Sequence, residues 1–394
     1  MKMSQRIENI QSSATLALST KANELKQAGV DIINLSVGEP DFPTPQHIKD
    51  AAIQAINNNQ SDRYTPALGI TELRQAIANE LNQQYQTAFT AKNVAVTVGG
   101  KFSLYAVTQA LVNAGDEVLI PLPYWVSYEE QVKLAGGKPV FVAAAPDSLK
   151  VTVEQLEAAR TNKTIAVIIN SPQNPSGLIY SEDELIAIGN WAVKNDIILI
   201  ADDMYGKLVY NGNRFVSLLD LSDEIKQQTI LVSGFSKTYA MTGWRVGYTV
   251  ANTEFIARLG AFVGHATSNL AAVSQYAALA AVTGSQDCVE QMKEQYEKRL
   301  NTVFDLLTTI PGVSLLEKPQ GAFYLFPNVK QAVAMTGYAS TEEFANALLT
   351  TAHVAVVPGS AFGMPDHIRL SYATDLASLK EAISRIKKFI EDRI

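Results

Sequence analysis

Short apolar runs rich in β-branched residues recur along the chain, and segments with helical spacing mostly separate them. The runs cover 93–98, 117–121, 139–143, 165–169, 197–201, 229–232 and 246–250, and helical spacing is seen over 101–113, 152–160 and 182–195 among others. This alternation predicts an α/β fold with a mainly parallel sheet that helices cover on both faces. The run 246–250 follows the preceding loop closely, so we expect it to pair antiparallel at an edge of the sheet.

The C-terminal part of the chain has a different pattern. A long charged helix is predicted over about 287–308, and shorter elements follow it: strands at 313–316, 322–326, 353–357 and 367–371, and helices near 341–351 and at 376–391. This mixture predicts a smaller α+β domain. We therefore divide the chain into an N-terminal arm and small-domain segment (1–45), a large domain (46–286) and a small C-terminal domain (287–394).

Composition and charge exclude several classes of function. The 394 residues are 47% apolar and 18% charged, with a net charge of −7 and no basic block, which is typical of a globular protein and unfavourable for nucleic-acid binding. No stretch approaches the roughly 18 uncharged apolar residues of a membrane span, and the N-terminus lacks the apolar core of a signal peptide. The single Cys288 rules out an intrachain disulfide framework and fits a reducing, cytoplasmic compartment. We predict no metal-binding residues.

Two of the predicted strands end in loops suited to ligand binding, which in an open parallel sheet occurs at the carboxyl ends of strands. One strand runs into Gly99 and Gly100 at the start of a helix, where free backbone N–H groups and the positive helix end suit a phosphate. Another runs into the loop 170–177, whose two prolines hold the amide of Asn174 rigidly. Taken alone, the first is an ordinary tight turn more often than not, and the second has even odds of being one.

Two further strand ends carry charged groups. Asp202 directly follows five apolar residues, so its carboxylate is expected to be buried and to need a cationic partner, with the phenol of Tyr205 three residues on. Lys237 follows the run 229–232 and is hemmed by aromatic residues, which would desolvate its amine and make it more often neutral and nucleophilic. Arg245 comes eight positions later. Individually, an aspartate here can be a helix cap, and most lysines are solvated surface charges.

The joint occurrence of these groups at one sheet edge favours a single ligand. A phosphate turn, a rigid amide, a buried acid beside a phenol and a desolvated lysine match a ligand with a phosphate, a protonated ring nitrogen, a phenolic oxygen and an aldehyde. Pyridoxal 5′-phosphate has all four groups, and we predict it as the cofactor.

The chain also resembles a known family, the class I (fold-type I) pyridoxal-phosphate-dependent aminotransferases, and within it the prokaryotic aspartate aminotransferase subgroup. The resemblance covers nearly the whole chain and rests on the segments 36–45, 99–101, 123–125, 170–177, 202–205, 233–245 and 368–372 together with Tyr64. It implies a large cofactor-binding domain, and a smaller α+β domain formed by the C-terminal part and the N-terminal segment.

The resemblance implies roles for the residues around the cofactor ring. Lys237 corresponds to the catalytic lysine that carries the cofactor covalently. Asp202 would keep the pyridine nitrogen protonated, and Tyr205 and Asn174 would hydrogen-bond the ring oxygen. Trp125 would stack on the ring, although an aromatic residue at this place is otherwise part of the core.

The phosphate site and the assembly follow from the same resemblance. Arg245 and the backbone of Gly100 and Lys101 would bind the phosphate, with Ser236 as a possible helper. In the family, the tyrosine that matches Tyr64 reaches the phosphate of the neighbouring subunit, which implies a homodimer with shared sites. Gly234 departs from subgroups that carry a phosphate-binding serine there, which leaves the phosphate contacts open at that position.

The substrate site is implied in the same way, by Gly38, Lys101, Trp125, Asn174 and Arg369. Arg369 matches the arginine that binds the substrate α-carboxylate, a group that a planar guanidinium can bind with two hydrogen bonds; the alternative is a surface arginine on a small-domain strand. Lys101 corresponds to a lysine associated with the distal carboxylate of aspartate and glutamate, and residues 13–15 resemble a segment that closes over that end. Lys101 otherwise only caps the phosphate turn.

The predicted reaction is a ping-pong transamination between L-aspartate and 2-oxoglutarate, with oxaloacetate and L-glutamate as products. An aminotransferase for aromatic or other amino acids, and a β-lyase that shares Lys237, Asp202 and Arg369, remain as alternatives. We do not expect a cofactor-binding transcription regulator, because such proteins usually carry an added DNA-binding domain and the chain lacks basic character.

Overall fold

The computed structural model of the chain describes residues 2–11 and 14–394. Its strands are β1 (Ile33–Asn34), β2 (Val94–Val98), β3 (Glu117–Pro121), β4 (Lys138–Val142), β5 (Thr164–Asn170), β6 (Ile198–Asp202), β7 (Thr229–Gly234), β8 (Val246–Val250), β9 (Tyr324–Leu325), β10 (Val354–Ala355), β11 (Val357–Pro358) and β12 (Ile368–Ser371). Its helices are α1 (Gln5–Glu8), α2 (Ala14–Gln27), α3 (Gln46–Asn57), α4 (Thr71–Tyr85), α5 (Gly99–Leu111), α6 (Ser127–Leu134), α7 (Val153–Ala159), α8 (Glu182–Lys194), α9 (Asp223–Gln228), α10 (Phe235–Thr238), α11 (Thr253–Ala266), α12 (Ala272–Thr283), α13 (Asp287–Leu307), α14 (Lys330–Met335), α15 (Thr341–Ala347) and α16 (Leu376–Glu391). Among these described helices, none combines the length and the apolar character that a bilayer span requires.

A seven-stranded sheet in the order β2-β8-β7-β6-β5-β3-β4 forms the centre of the fold. Neighbouring strands from β4 to β7 are parallel, whereas β8 is antiparallel to both of its neighbours. The seven predicted runs are confirmed as these strands, with ends that differ by at most two residues. The antiparallel pairing of β8 is also confirmed, but its predicted edge position is wrong. Every residue of β8 is buried, because β2 pairs along its whole length and takes the edge instead.

Helices cover both faces of the sheet, and each face has its own apolar core. Along β5, Val167 and Ile169 pack into one cluster while Ala166 and Ile168 pack into the other, as the alternation of side chains along a strand requires. Helices α3, α4, α8 and α12 contribute to the first cluster, and α5, α6 and α11 contribute to the second. Burial on both faces explains why these strands are continuous apolar runs in the sequence.

A third apolar cluster lies in the C-terminal part, between α13, α16 and the short strands, and it includes Leu35 of the N-terminal segment. Strand β1 pairs in parallel with β10, and β12 lies between β11 and β9 in an antiparallel sheet. The predicted strand at 313–316 is wrong. That segment contributes one isolated bridge, from Ser314 to Asn328, and follows a turn at Gly312 whose φ is +72°. Val313 and Leu315 are only partly buried against the C-terminal cluster and Leu316 is 51% exposed, so packing holds the segment in a sheet only weakly.

Candidate active site

A cavity of about 520 Å³ opens where β5, β6 and β7 end and α5 begins. It is lined by Ser19, Ser36, Val37, Gly38, Glu39, Gly100, Lys101, Leu104, Trp125, Tyr128, Asn170, Asn174, Asp202, Met204, Tyr205, Ser236, Lys237, Thr242, Arg245, Tyr324 and Arg369. All the predicted site residues are in this set except Tyr64, which is 91% exposed and lies outside the cavity. The structure therefore brings together groups that the sequence distributes over more than 300 positions.

Lys237 lies in the short helix α10, which follows β7 without an intervening loop. Its amine donates a hydrogen bond to the backbone carbonyl of Gly38. Burial lowers the pKa of Lys237 to about 8, an effect that the nearby carboxylate of Glu39 partly opposes. The lowered pKa leaves a larger fraction of this amine unprotonated near neutral pH than in an ordinary lysine, which favours a role as a nucleophile or a base.

Asp202 is the last residue of β6 and is 5% exposed. Its Oδ2 accepts a hydrogen bond from the phenol of Tyr128 at 2.6 Å, and its Oδ1 accepts one from the backbone N–H of Met204 at 3.3 Å. Burial raises the pKa of Asp202 to about 6. Among the described residues, no lysine, arginine or histidine lies within ion-pair distance of this carboxylate. The charge of Lys237 acts on it from further away, and a cationic group of a ligand would stabilise its charged form more strongly.

Arg369 enters the cavity from β12 and is 3% exposed. Its Nη2 donates to the carbonyl of Ser36 at 2.7 Å, and its guanidinium carbon lies 4.6 Å from the ring centre of Tyr324 and 5.0 Å from that of Phe362. Its Nε is buried and has no hydrogen-bond partner in the described part of the chain, and burial lowers the pKa of this arginine. The surface-arginine alternative is therefore excluded. A buried guanidinium with a free N–H group is a site for a carboxylate.

Asn174 is held by the loop that follows β5. Its backbone N–H donates to Oδ1 of Asn170 at 2.8 Å, while Nδ2 of Asn170 donates to the backbone carbonyl of Asp202 at 2.8 Å. The Oδ1 atom of Asn174 accepts a hydrogen bond from Nη1 of Arg369 at 3.0 Å. The 170–177 loop is thus more than a turn, because it fixes an amide between the acid and the arginine.

An anion cradle forms where β2 runs into α5. The helix has no side chain capping its N-terminus, so its first N–H groups are available to a ligand. A Cβ atom at Gly99 would overlap Nη2 of Arg245, and one at Gly100 would overlap the methyl group of Met204. Arg245 itself has a left-handed backbone with φ of 56°, and its Nη1 donates to the carbonyl of Thr242 at 2.7 Å.

Lys101 and Trp125 lie together at one side of the cavity. The Nζ atom of Lys101 is 4.9 Å from the ring centre of Trp125, within the range of a cation–π contact. Desolvation and the charge of Arg245 lower the pKa of Lys101. Lys101 therefore projects into the cavity as well as contributing its backbone to the cradle.

Sequence reasoning assigned no role to several residues that line the cavity. Tyr324 comes from β9, and its hydroxyl lies 2.8 Å from that of Tyr205. Tyr128 follows Trp125 by three positions, a helical spacing that is the one sequence signal pointing to it. Of the segment 13–15 that was expected to close over the substrate, Ser13 lies outside the described residues, while Ser19, further along α2, lines the cavity.

The fold and the cavity define an aminotransferase of fold type I. The family model for aminotransferases of class I and II matches residues 30–386, and the chain belongs to this family.

Among the similar proteins are aminotransferases that are named for aspartate or asparagine. The chain is 50% identical over 391 residues to an asparagine–oxo-acid transaminase of Streptococcus mutans, covering 99% of both proteins. It is 48% identical over 390 residues to an aspartate aminotransferase of a Bacillus species, strain YM-2, again covering 99% of both. The solved aspartate aminotransferase from Rhizobium meliloti superposes with a TM-score of 0.95 at 38% identity, over 100% of this chain and 99% of that one. The predicted class of fold and the predicted family are confirmed.

Proposed function

We propose that this aminotransferase uses pyridoxal 5′-phosphate to exchange an amino group between L-aspartate and 2-oxoglutarate, with oxaloacetate and L-glutamate as products. The observation that carries the proposal is the meeting of three groups in one cavity. These are the desolvated amine of Lys237, the buried carboxylate of Asp202 and the buried guanidinium of Arg369.

The residues of the cavity fit this cofactor. The uncapped start of α5 with Gly100 and Lys101, Arg245 and Ser236 supply N–H, guanidinium and hydroxyl donors for a phosphate. The positive φ of Gly99, +79°, and overlap with the end of the Arg245 side chain disfavour a side chain there, and overlap with the methyl group of Met204 disfavours one at Gly100.

The groups around the cofactor ring fit equally well. Asp202 lacks a cationic partner in the described chain, which a protonated ring nitrogen would provide. Tyr205 and Asn174 would hydrogen-bond the ring oxygen, and Trp125 would pack against the ring face. When bound, pyridoxal phosphate supplies an electrophilic carbon for the amino group and a ring that accepts electrons from the substrate.

The chain itself supplies orientation and proton transfer. Arg369 binds the substrate α-carboxylate with its guanidinium group and so fixes the amino acid in the cavity. The Nζ atom of Lys237, neutral in part because of its lowered pKa, removes the α-proton of the substrate and later delivers it as an acid. Gly38 lies beside this amine and would close over the substrate through its backbone.

The preference for aspartate is supported by Lys101, the cationic side chain beside Trp125. Its ammonium group suits the distal carboxylate of aspartate and of glutamate. A second candidate donor is asparagine, because the Streptococcus mutans relative is named for that amino acid. The two donors differ only in the distal group, which the ammonium of Lys101 can meet as a carboxylate or as an amide oxygen.

The proposal is tested by the absorbance spectrum of the purified protein, titrated with aspartate or asparagine and then with 2-oxoglutarate. We expect the visible band of the bound cofactor to disappear with the amino acid and to return with the oxo acid. Lys237→Ala should hold the cofactor without turnover, and borohydride should attach no label to it. A wild-type protein that stays colourless with added cofactor contradicts the cofactor assignment. Formation of pyruvate and ammonia, in place of a new amino acid, indicates a β-lyase, and a selective response to aromatic donors indicates an aromatic aminotransferase.

We also propose a homodimer in which Tyr64 reaches the neighbouring active site. The 91% exposure of its large aromatic ring in the single chain supports this, since such a ring is usually covered. Sedimentation analysis is expected to give twice the chain mass. Mixed dimers of Tyr64→Ala and Lys237→Ala subunits are expected to regain activity, because one of their two sites receives both native residues.

We further propose the three-part division of the chain at 45/46 and 286/287, and a cytoplasmic location. Separate apolar clusters for the sheet and for the C-terminal part support the division. The single, partly buried Cys288 suits a reducing compartment. Limited proteolysis with mass mapping tests the boundaries.

A further inference from the structure

Tyr128 makes the shortest hydrogen bond to the Asp202 carboxylate. Its hydroxyl lies 2.6 Å from Oδ2, and the two residues are 3% and 5% exposed. The other described contact of this carboxylate is the longer bond from the Met204 backbone, at 3.3 Å on Oδ1. One oxygen of Asp202 is therefore held by the phenol of an almost fully buried tyrosine.

Tyr128 is also joined to Trp125, one helical turn earlier. Its backbone N–H donates to the carbonyl of Trp125 at 3.0 Å, and the two rings meet edge to face with centres 5.5 Å apart and planes at 82°. A single turn of chain therefore sets the position of the aromatic ring that faces the cavity and of the donor that reaches Asp202.

We propose that Tyr128 is a positioning residue of the active site, which orients the Asp202 carboxylate and stabilises its ionised form toward the cofactor ring. The inference rests on the proposed cofactor. It assigns a positioning role to Tyr128, which does not itself contact the reacting atoms.

A buried carboxylate is costly in free energy unless nearby groups stabilise its charge. Burial alone favours the neutral acid at Asp202, and a hydrogen bond donated to the carboxylate favours the charged form. Tyr128 keeps its proton for this purpose, since burial and the adjacent carboxylate both raise its pKa well above the ordinary value. Lys237 also favours the charged form of Asp202. Burial raises the pKa of the neighbouring Asp203 to about 8 and the pKa of Tyr205 well above its ordinary value, so both groups are mostly uncharged near neutral pH. Within α6, the hydroxyl of Tyr128 is thus the neutral donor whose hydrogen bond offsets part of the cost of burying the charge of Asp202.

If Tyr128 had only a structural role, a different experimental result would be expected. If Tyr128 only fills the core, removal of its hydroxyl lowers the stability and leaves Asp202 and the cofactor unaffected. Tyr180 is the matched control, because it is 2% exposed and accepts a hydrogen bond from Val151 N at 3.4 Å in the core of the opposite sheet face.

The test compares Tyr128→Phe with Tyr180→Phe by three measurements. In the apoprotein, the carboxyl titration of Asp202, followed by ¹³C NMR, is expected to move to higher pH in Tyr128→Phe and to stay unchanged in Tyr180→Phe. In the loaded enzyme, the affinity for pyridoxal phosphate is expected to fall about 10-fold and kcat about 10- to 100-fold, with KM for aspartate changed less than about 3-fold. The melting temperatures of both variants show how much stability is lost when a buried tyrosine hydroxyl is removed.

Unchanged Asp202 titration together with unchanged cofactor affinity in Tyr128→Phe overturns the proposal. The apoprotein measurement separates this failure from failure of the proposed function, because it needs no cofactor. If Tyr128→Phe does not fold, wild-type protein labelled with 3-fluorotyrosine gives a second test. The fluorine signal of Tyr128 is expected to follow the ionisation of Asp202, and a signal that does not respond over that pH range contradicts the inference.

Discussion

The guanidinium of Arg369 donates a hydrogen bond to the side-chain oxygen of Asn174 over 3.0 Å. This bond joins β12, in the C-terminal sheet, to the loop that follows β5 in the central sheet. With the second bond, from Nη2 to the carbonyl of Ser36, it fixes the plane of the guanidinium while Nε stays free. The guanidinium that we propose to bind the carboxylate is therefore oriented without any substrate, which would lower the entropy cost of binding.

Arg369→Lys is expected to reduce kcat/KM about 100-fold for every amino donor, because lysine keeps the charge but loses the planar fork. Cofactor affinity should change much less than kcat/KM, since among the described contacts of Arg369 only the bond to Asn174 leads to the cofactor site. Steady-state kinetics with aspartate, asparagine and an aromatic donor provides the measurement. A loss confined to one donor would show that Arg369 binds a side chain and not the common α-carboxylate.

Lys101→Gln is expected to discriminate between donors. Loss of its ammonium group should lower kcat/KM for aspartate and glutamate about 10- to 100-fold, the effect of one charge-assisted hydrogen bond, and change the value for aromatic donors less than about 3-fold. The backbone of residue 101, which contributes to the anion cradle, is retained in this variant. A small, uniform effect on all donors would mean that the side chain serves the phosphate turn alone.

The pKa of Lys237, lowered by burial from 10.5 to about 8, predicts a specific pH dependence in the apoprotein. The amine loses its proton as the pH rises through about 8, so its rate of modification by an amine-reactive reagent should have its midpoint there. Between about 8 and 10.5 the unfolded chain binds a proton that the folded chain lacks, and the free energy of unfolding should rise with pH across this window. Peptide mapping of the modified protein measures the first effect. A midpoint near 10.4, the usual value for lysine, would show that the amine is hydrated.

Gly100 of the anion cradle and Gly247 of β8, which packs against it, are expected to respond differently to alanine. At Gly247 an added Cβ would overlap backbone atoms of Gly99 and Gly100, which cannot move away, so Gly247→Ala should lower the free energy of unfolding by about 2 kcal/mol or more. At Gly100 the overlapping atom is the terminal methyl of Met204, which can rotate toward the cavity. Gly100→Ala should therefore fold nearly normally and bind cofactor more weakly.

Urea unfolding and titration of the apoprotein with cofactor distinguish these two variants. The double variant Gly100→Ala/Met204→Ala provides the control, because it removes the displaced methyl group and is expected to recover part of the affinity. Equal stability losses in both single variants would contradict the distinction between backbone and side-chain overlap.

Much of the fold was predictable because the interior strands of the central sheet are buried on both faces, so their sequences are continuous apolar runs. The position of β8 was not predictable from the same pattern. An antiparallel strand at the edge and one in the interior are both apolar, and the difference lies in the pairing with β2, which is distant in sequence. The strand predicted around Ser314 was wrong because a short apolar run does not show whether a neighbouring strand pairs with it, and the structure gives this segment a single bridge.

The site was predictable where strand ends carry unusual residues, as at Asp202 and Lys237. Tyr128 and Tyr324 were not predicted, because a tyrosine in a helix or a short strand has the same appearance in sequence whether its hydroxyl meets a carboxylate or water. Only the three-dimensional structure shows that these hydroxyls reach Asp202 and Tyr205. Tyr64 stays a prediction, since its proposed partner belongs to another copy of the chain.

The pairing of β2 with β8 also orders events during synthesis. Strands β3 to β7 acquire their neighbours as the chain emerges, whereas β2, made before all of them, has no neighbour in the described sheet until residues 246–250 have left the ribosome. Gly99 and Gly100, which follow β2, reach their final positions only after β2 has paired with β8. A truncated product that ends before β8 would thus expose an unpaired strand, which favours aggregation. Its anion cradle would also be incomplete.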